Sequence, residues 1–318
     1  MIIAIDKYIQ AFQKLRRSNT DYGSAPHKPV LLISLIELIE KRVVNVNQFP
    51  VSADLVGIFK ENWQLLVQTM HKADFTQPFF YLQSEKVQGD PLWILKPNAG
   101  CRISSHLGVS RLSELCDYGY FTKELFFLLT DSGNRAILTE VLLTTYFSEL
   151  KMQFYNAKQT GNGYLHEQLS DILNEPHAIK KRVSTNTEED AFVRNGLFKK
   201  MVPKIYRNSC SFTGMQLSST FGHSFVDACH IVPFSLTHND SVSNGIALCP
   251  NLHRAFDRGL VSIDEDYRII VSTHVLEDGE HIYGIGKLHG KTMSLPSEKT
   301  QYPAKEYTSW HRQNLFKV

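Results

Sequence analysis

Apolar residues recur at helical spacing in IDKYIQAFQKL, in VLLISLIELIEKR and in VSADLVGIFKENWQLLVQ, which predicts three helices early in the chain. Between the first two, NTDYGSAPHKP has the Asn, Asp, Gly, Ser and Pro content of a loop. QPFFYLQSEKVQGDPLWILKP carries two short aromatic-rich runs around a Gly-Asp-Pro break, which predicts a hairpin. Two further helices are predicted near Thr122–Thr130 and Arg135–Phe147. The pattern then loosens. Residues 156–187 are polar and contain glycine, and read as a linker with some helix in it; the basic trio Lys180, Lys181 and Arg182 fits a solvated stretch at least as well as a phosphate contact. From Glu188, EEDAFVRNGLFKKMVPKIY predicts a helix leading into a second unit. The predicted organisation is α+β: a mainly helical domain with a small sheet or hairpin over residues 1–155, a linker over 156–187, and a second domain over 188–318. No internal repeat interrupts it.

A chain of 318 residues is long enough for two domains with a core each. With 42% hydrophobic and 21% charged residues it has the balance of a soluble globular protein. No apolar run reaches the roughly 20 residues that span a bilayer. The opening MIIAIDKYIQAFQKL lacks the basic-then-apolar layout of a secretory signal, so a cytoplasmic location is expected. The five cysteines are odd in number and follow no pairing pattern, which favours free thiols in a reducing compartment over a disulfide framework. A net charge of +2 means that any footprint for nucleic acid has to be a local patch.

The chemistry concentrates between Cys210 and Arg268. FVDACHIVPF is apolar, β-prone and stopped by proline, so His230 is placed at a strand end. DSVSNG is a turn by composition, and LCPNLHRAFDRG is a short helix started by Pro250 and stopped by Gly259. His253 and Asp257 lie four apart and share one face of that helix, a plausible half-site for a divalent metal. A strand-end histidine, a loop asparagine and such a helix are what phosphodiester hydrolysis asks for: a base for water, a metal for the charge on phosphate, and a fixed tautomer for the base. Any one of these residues alone has an ordinary structural explanation; their order and spacing together do not.

The wording AxHIVPF followed by SNGxxLCPNLHxxFDxG resembles the HNH (ββα-metal) endonucleases, and within them the McrA-like restriction branch. The resemblance implies that His230 is the general base, that Asn244 orients it, and that His253 binds the metal. Asp257 falls where many relatives carry a second helix ligand. Two departures stand out. Cys229 occupies the position where many relatives have an acidic or histidine ligand, so either Cys229, the nearby Asp227 or water would complete the sphere. Cys210 is followed by Thr213 and Cys249 by Leu252, where many relatives have CxxC pairs, so a structural zinc is not expected. A catalytic divalent ion alone is expected, Mg²⁺ or Mn²⁺ first. His223, His238 and His311 are expected to be bystanders, and YTSWHRQNLF a packing helix with Trp310, Leu315 and Phe316 in the core.

The first domain, through APHKPVLLISLIELI and its PFF-turn-W layout, resembles the sulfur-binding domain of restriction enzymes that read phosphorothioate DNA. The resemblance extends over about 130 residues on short motifs. It implies a small apolar cup that prefers sulfur to the more strongly hydrated oxygen, with cations nearby for phosphate and base edges. His27 and Lys28 would form its polar side, and Pro78, Phe79 and Gln77 its wall, although an aromatic is expected where Gln77 stands. Arg102 or Arg111 would reach a guanine edge. The function so implied is a modification-dependent restriction endonuclease acting on double-stranded DNA as a homodimer. A methylated or otherwise modified base is the alternative target, and an inactive DNA-binding module the alternative class.

Overall fold

The computed structural model describes residues 5–161, 163–174, 187–220, 224–277, 281 and 284–318; Lys180, Lys181, Arg182 and His223 lie outside them. Two compact units form, one from Met1–Gln168 with Asn186–Val193, the other from Leu169–Thr185 with Arg194–Val318. The segment 156–187, expected to be a linker with some helix in it, takes in the end of the helix Lys151–Thr160 and the whole of Tyr164–Asn174, with Tyr164 and Ile172 buried. Its polar composition hides a sparse apolar stripe that is nonetheless enough to dock a helix.

In the first unit the helix His27–Glu40 is buried on almost every side, from Val30 to Ile39, as its near-continuous apolar sequence requires. It packs on the helix Ala53–Leu66, whose Ser52 cap accepts from Leu55 N at 3.2 Å. The predicted helices Lys123–Thr130 and Ser132–Tyr146 are present, capped by Thr122 and Asp131.

A hairpin does form at Gly-Asp-Pro, but the two aromatic-rich runs are not its strands. Thr76–Tyr81 is helical, because Asp74 Oδ1 accepts from Thr76 N at 2.9 Å and Gln77 N at 3.1 Å, and Pro78 sits in the first turn where its missing N–H costs nothing. A minimal hairpin pairs Lys86–Val87 with Asp90–Pro91, turning at Gln88 and Gly89 with φ of 54° and 96°. Trp93–Pro97 pairs instead with Cys116–Phe121, far along the chain. Phe49, Phe75, Phe79, Trp93 and Phe121 are fully buried and form the aromatic heart of the unit.

In the second unit the strands Asp227–His230 and Gly245–Leu248 pair antiparallel, with His230 opposite Gly245, and the helix Pro250–Asp257 follows. This is the ββα arrangement expected from the sequence. Behind it, Val261–Ile263 pairs with Ile269–Val271, and the helix Lys305–Asn314 packs on the first of these strands. Trp310, Leu315 and Phe316 are only half-buried, and the buried residues of the last helix are Thr308 and His311. His311 Nδ1 lies 2.8 Å from Ser262 Oγ, its Nε2 3.0 Å from Phe256 O, and its ring stacks on Phe256 at 3.7 Å. The expected bystander is a clamp on the end of the Pro250–Asp257 helix. Among the described residues no helix is long and apolar enough to cross a membrane.

Candidate active site

Strand alternation divides the functional residues of Asp227–His230 between two faces. Asp227 and Cys229 face the Pro250–Asp257 helix, and His230 faces away from it. Two strand residues at i and i+2 are about 6.7 Å apart along the strand, and two helix residues at i and i+4 about 6 Å along the axis. The two pairs therefore come into register. Asp227 Oδ2 lies 3.6 Å from His253 Nδ1, and Cys229 Sγ lies 3.7 Å from Asp257 Oδ1. His253 Nε2 and Asp257 Oδ2 are 3.5 Å apart on the helix face.

Cys229, His253 and Asp257 thus bring three ligand atoms within 4.8 Å of one another, a donor set that could hold a divalent ion. Asp227, expected at the metal, stands on the other ring nitrogen of His253, outside this group. The cluster opens to solvent through its two helix residues, while Cys229 is wholly buried at its floor. Burial and the neighbouring Asp257 and Asp227 carboxylates push the Cys229 thiol well above its ordinary range.

On the opposite face His230 is held from two directions. Its ring lies flat against Phe198, with centroids 3.9 Å apart and planes 9° from parallel. Its Nε2 is 3.0 Å from Oδ1 of Asp240, a carboxylate buried to 1% exposure. Sequence reasoning missed Asp240 because it stands in HNDSVSNG, whose composition reads only as a turn.

Asn244 does not touch the His230 side chain. It is fully buried; its Oδ1 accepts from Val232 N at 2.9 Å, and its Nδ2 donates to Val232 O and Asn239 O at 3.0 and 3.1 Å. It therefore ties the chain after His230 to the chain before Asp240. The following Gly245 is no turn residue. A Cβ there would come within 2.6 Å of Val202 and 2.9 Å of Phe198, so glycine is what lets Phe198 close over the histidine.

Cys210 and Cys249 form a separate pair. The Cys249 thiol donates to the Cys210 sulfur, which holds Cys210 below the ordinary thiol range.

In the first unit, His27, Lys28, Gln77 and Pro78 all line one open cavity of about 490 Å³. Arg16, Arg17 and Tyr81, not expected there from local patterning, line it as well. Lys28 is already matched by Glu85, both side chains being nearly buried. His27 Nε2 is 3.0 Å from Lys72 O and its ring packs on Trp63; burial holds it below the ordinary histidine range. Phe79 lies in the aromatic core and does not line the cavity, Arg111 is paired with Glu114 at 2.6 Å, and Arg102 is exposed outside the cavity lining.

Residues 210–264 match the model of a family of HNH endonucleases. This segment is an HNH endonuclease domain. The match starts at Cys210 and takes in the site strands, Asp240, Asn244 and the whole helix carrying His253 and Asp257. A solved structure of the modification-dependent TagI restriction endonuclease is similar at 22% identity with a TM-score of 0.31, over 39% of this chain and 39% of that one. No curated protein matches the chain.

Proposed function

We propose that the protein is a modification-dependent restriction endonuclease that hydrolyses DNA phosphodiester bonds, with residues 1–155 as the reader of the mark and residues 188–318 as the nuclease. The observation that carries the nuclease half is the HNH domain at 210–264, in which the strand ending at His230 packs its Cys229 against the helix carrying His253 and Asp257.

His230 is the general base in this reading. The buried Asp240 carboxylate accepts from Nε2–H, which fixes the tautomer and leaves the Nδ1 lone pair to take a proton from water. Phe198 blocks rotation of the ring, and Asn244 holds the loop that brings Asp240 to it. His253 and Asp257 would hold the divalent ion, and the thiol, imidazole and carboxylate around the cleft are a donor set that fits one. The ion would supply charge stabilisation at the phosphate and at the leaving oxygen. One such site cuts one strand, so duplex cleavage calls for a homodimer.

For the target we favour phosphorothioate-marked DNA. The supporting features are the APHKPVLLISLIELI resemblance and the cavity where Pro78 and Tyr81 provide apolar wall beside Arg16 and Arg17. Sulfur, being polarisable and weakly hydrated, suits such a wall better than oxygen does. Since the Lys28 charge is matched by Glu85, Arg16 and Arg17 are the cations available to a phosphate.

The test is His230→Ala assayed for binding and cleavage side by side with a chelator control. Retained DNA binding with cleavage lowered at least ~10²-fold fits a base; lost binding, or cleavage that persists, removes His230 from that role.

A further inference from the structure

Cys229 is the one member of the donor set given no role of its own so far, and its sulfur lies at the buried floor of the cluster. Sγ stands 3.7 Å from one Asp257 oxygen, and His253 Nε2 stands 3.5 Å from the other. A tetrahedral ion with bonds of about 2.3 Å to sulfur and about 2.0–2.2 Å to nitrogen and oxygen would space its S and O ligands about 3.6 Å apart and its N and O ligands about 3.4 Å apart. The S–O and N–O spacings are close to these values, each to a different oxygen of Asp257, and the three ligand atoms lie within 4.8 Å of one another. It is also graded by exposure. The thiol is fully buried at the floor, while the imidazole and carboxylate side chains are 27% and 57% exposed at the mouth, where an ion would enter.

We propose that Cys229 is a thiolate ligand, with His253 and Asp257, of a divalent ion of the zinc and cobalt class, and that this centre takes such an ion ahead of Mg²⁺. The assignment rests on the endonuclease reading in placing that ion at the catalytic cleft. The chemistry follows from the donors. Sulfur is soft and bonds zinc and cobalt well, whereas Mg²⁺ wants an octahedron of hard oxygens and sheds its water reluctantly. The Cys229 proton leaves to solvent as the sulfur–metal bond forms. Asp227, 3.6 Å from His253 Nδ1, stands where an outer carboxylate orients a ligating imidazole so that Nε2 faces the ion.

The experiment uses the full chain, stripped with a chelator and titrated with Co²⁺ alone while the near-ultraviolet absorption is followed. The expected result is a sulfur-to-cobalt charge-transfer band that saturates at one ion per chain. It should disappear in Cys229→Ser and weaken in His253→Ala. It should persist in a variant carrying Cys210→Ser and Cys249→Ser together, and in a roughly hundredfold excess of Mg²⁺. Absence of the band from the wild type overturns the proposal, as does its survival in Cys229→Ser or its loss only with Cys210 and Cys249. If Cys229→Ser fails to fold by circular dichroism, His253→Ala decides, and an unchanged band there overturns the proposal. DNA cleavage is scored separately. Cleavage with Mg²⁺ and no cobalt–sulfur band removes the thiolate ligand and leaves the endonuclease, whereas a band without cleavage under any metal does the reverse.

Discussion

His230 is a surface-reaching histidine made rigid by three neighbours of different chemistry. Phe198 fixes its plane, Asp240 its tautomer, and the Val232 and Asn239 bonds of Asn244 fix the loop between them. These contributions separate in measurement. Asp240→Asn keeps the shape but lets the amide donate to Nε2, which favours the wrong tautomer. Turnover should fall by up to about 10⁴-fold with DNA affinity unchanged, and a loss of less than about tenfold would show that Asp240 does not position the base. Asn244→Ala instead strips partners from one buried N–H and two carbonyls. It should cost at least about 2 kcal/mol in denaturant unfolding as well as activity, and a variant as stable as wild type would contradict the clasp. The placing of His230 at a strand end, and of His253 and Asp257 on one helix face, was legible in the sequence because proline stops and helix periodicity act locally. Asp240 was not, because its contact with His230 depends on how a ten-residue excursion closes. The same holds for Asn244, legible as present but not in what it bonds.

The helix Pro250–Asp257 is only two turns long, too short to hold itself, and is fixed at its C-terminal end. At its end Gly259 has φ of 69°, and a Cβ there would meet Leu315 O at 1.9 Å; Gly259→Ala should therefore cost well over 1 kcal/mol and loosen His253 and Asp257 together. His311 clamps the same end from behind. Burial holds it near pKa 4 against an ordinary 6.5. The unfolded chain therefore binds a proton that the folded one refuses. The contribution is fully present above pH 6.5, is lost as pH falls towards 4, and amounts to about 3 kcal/mol in all. His311→Gln should flatten the dependence of melting temperature on pH over that window; equal slopes for the two proteins would contradict the clamp. Element by element, the ββα unit followed from its apolar alternation and Pro and Gly signals. The Thr76–Tyr81 helix did not, because an aspartate cap overrode an aromatic run that propensity assigns to strand. Nor did the Trp93–Phe121 ladder, since strand partners distant in sequence leave no local trace.

At the scale of the whole molecule a net charge of +2 gives no general attraction to DNA, so the proposed function requires local groups, and Arg16 and Arg17 at the cavity of the first unit are the candidates. Arg16 is exposed, which makes Arg16→Ala the cleaner probe; removing Lys28 would leave Glu85 buried and unpaired. The Arg16 variant should weaken capture of marked DNA and lower the salt slope by about one, leaving cobalt binding at Cys229, His253 and Asp257 unchanged. An unchanged slope would take the cavity out of the DNA interface. The measurement that bears most directly on the central claim is cleavage of two duplexes identical except for one phosphorothioate linkage, with a cytosine-methylated third, across Mg²⁺, Mn²⁺, Co²⁺ and Zn²⁺. The account predicts metal-dependent cutting of the sulfur-marked duplex alone, abolished by His230→Ala. Cutting of the methylated duplex alone would contradict the reading of residues 1–155, and no cutting of any duplex with any of these metals would contradict the endonuclease itself.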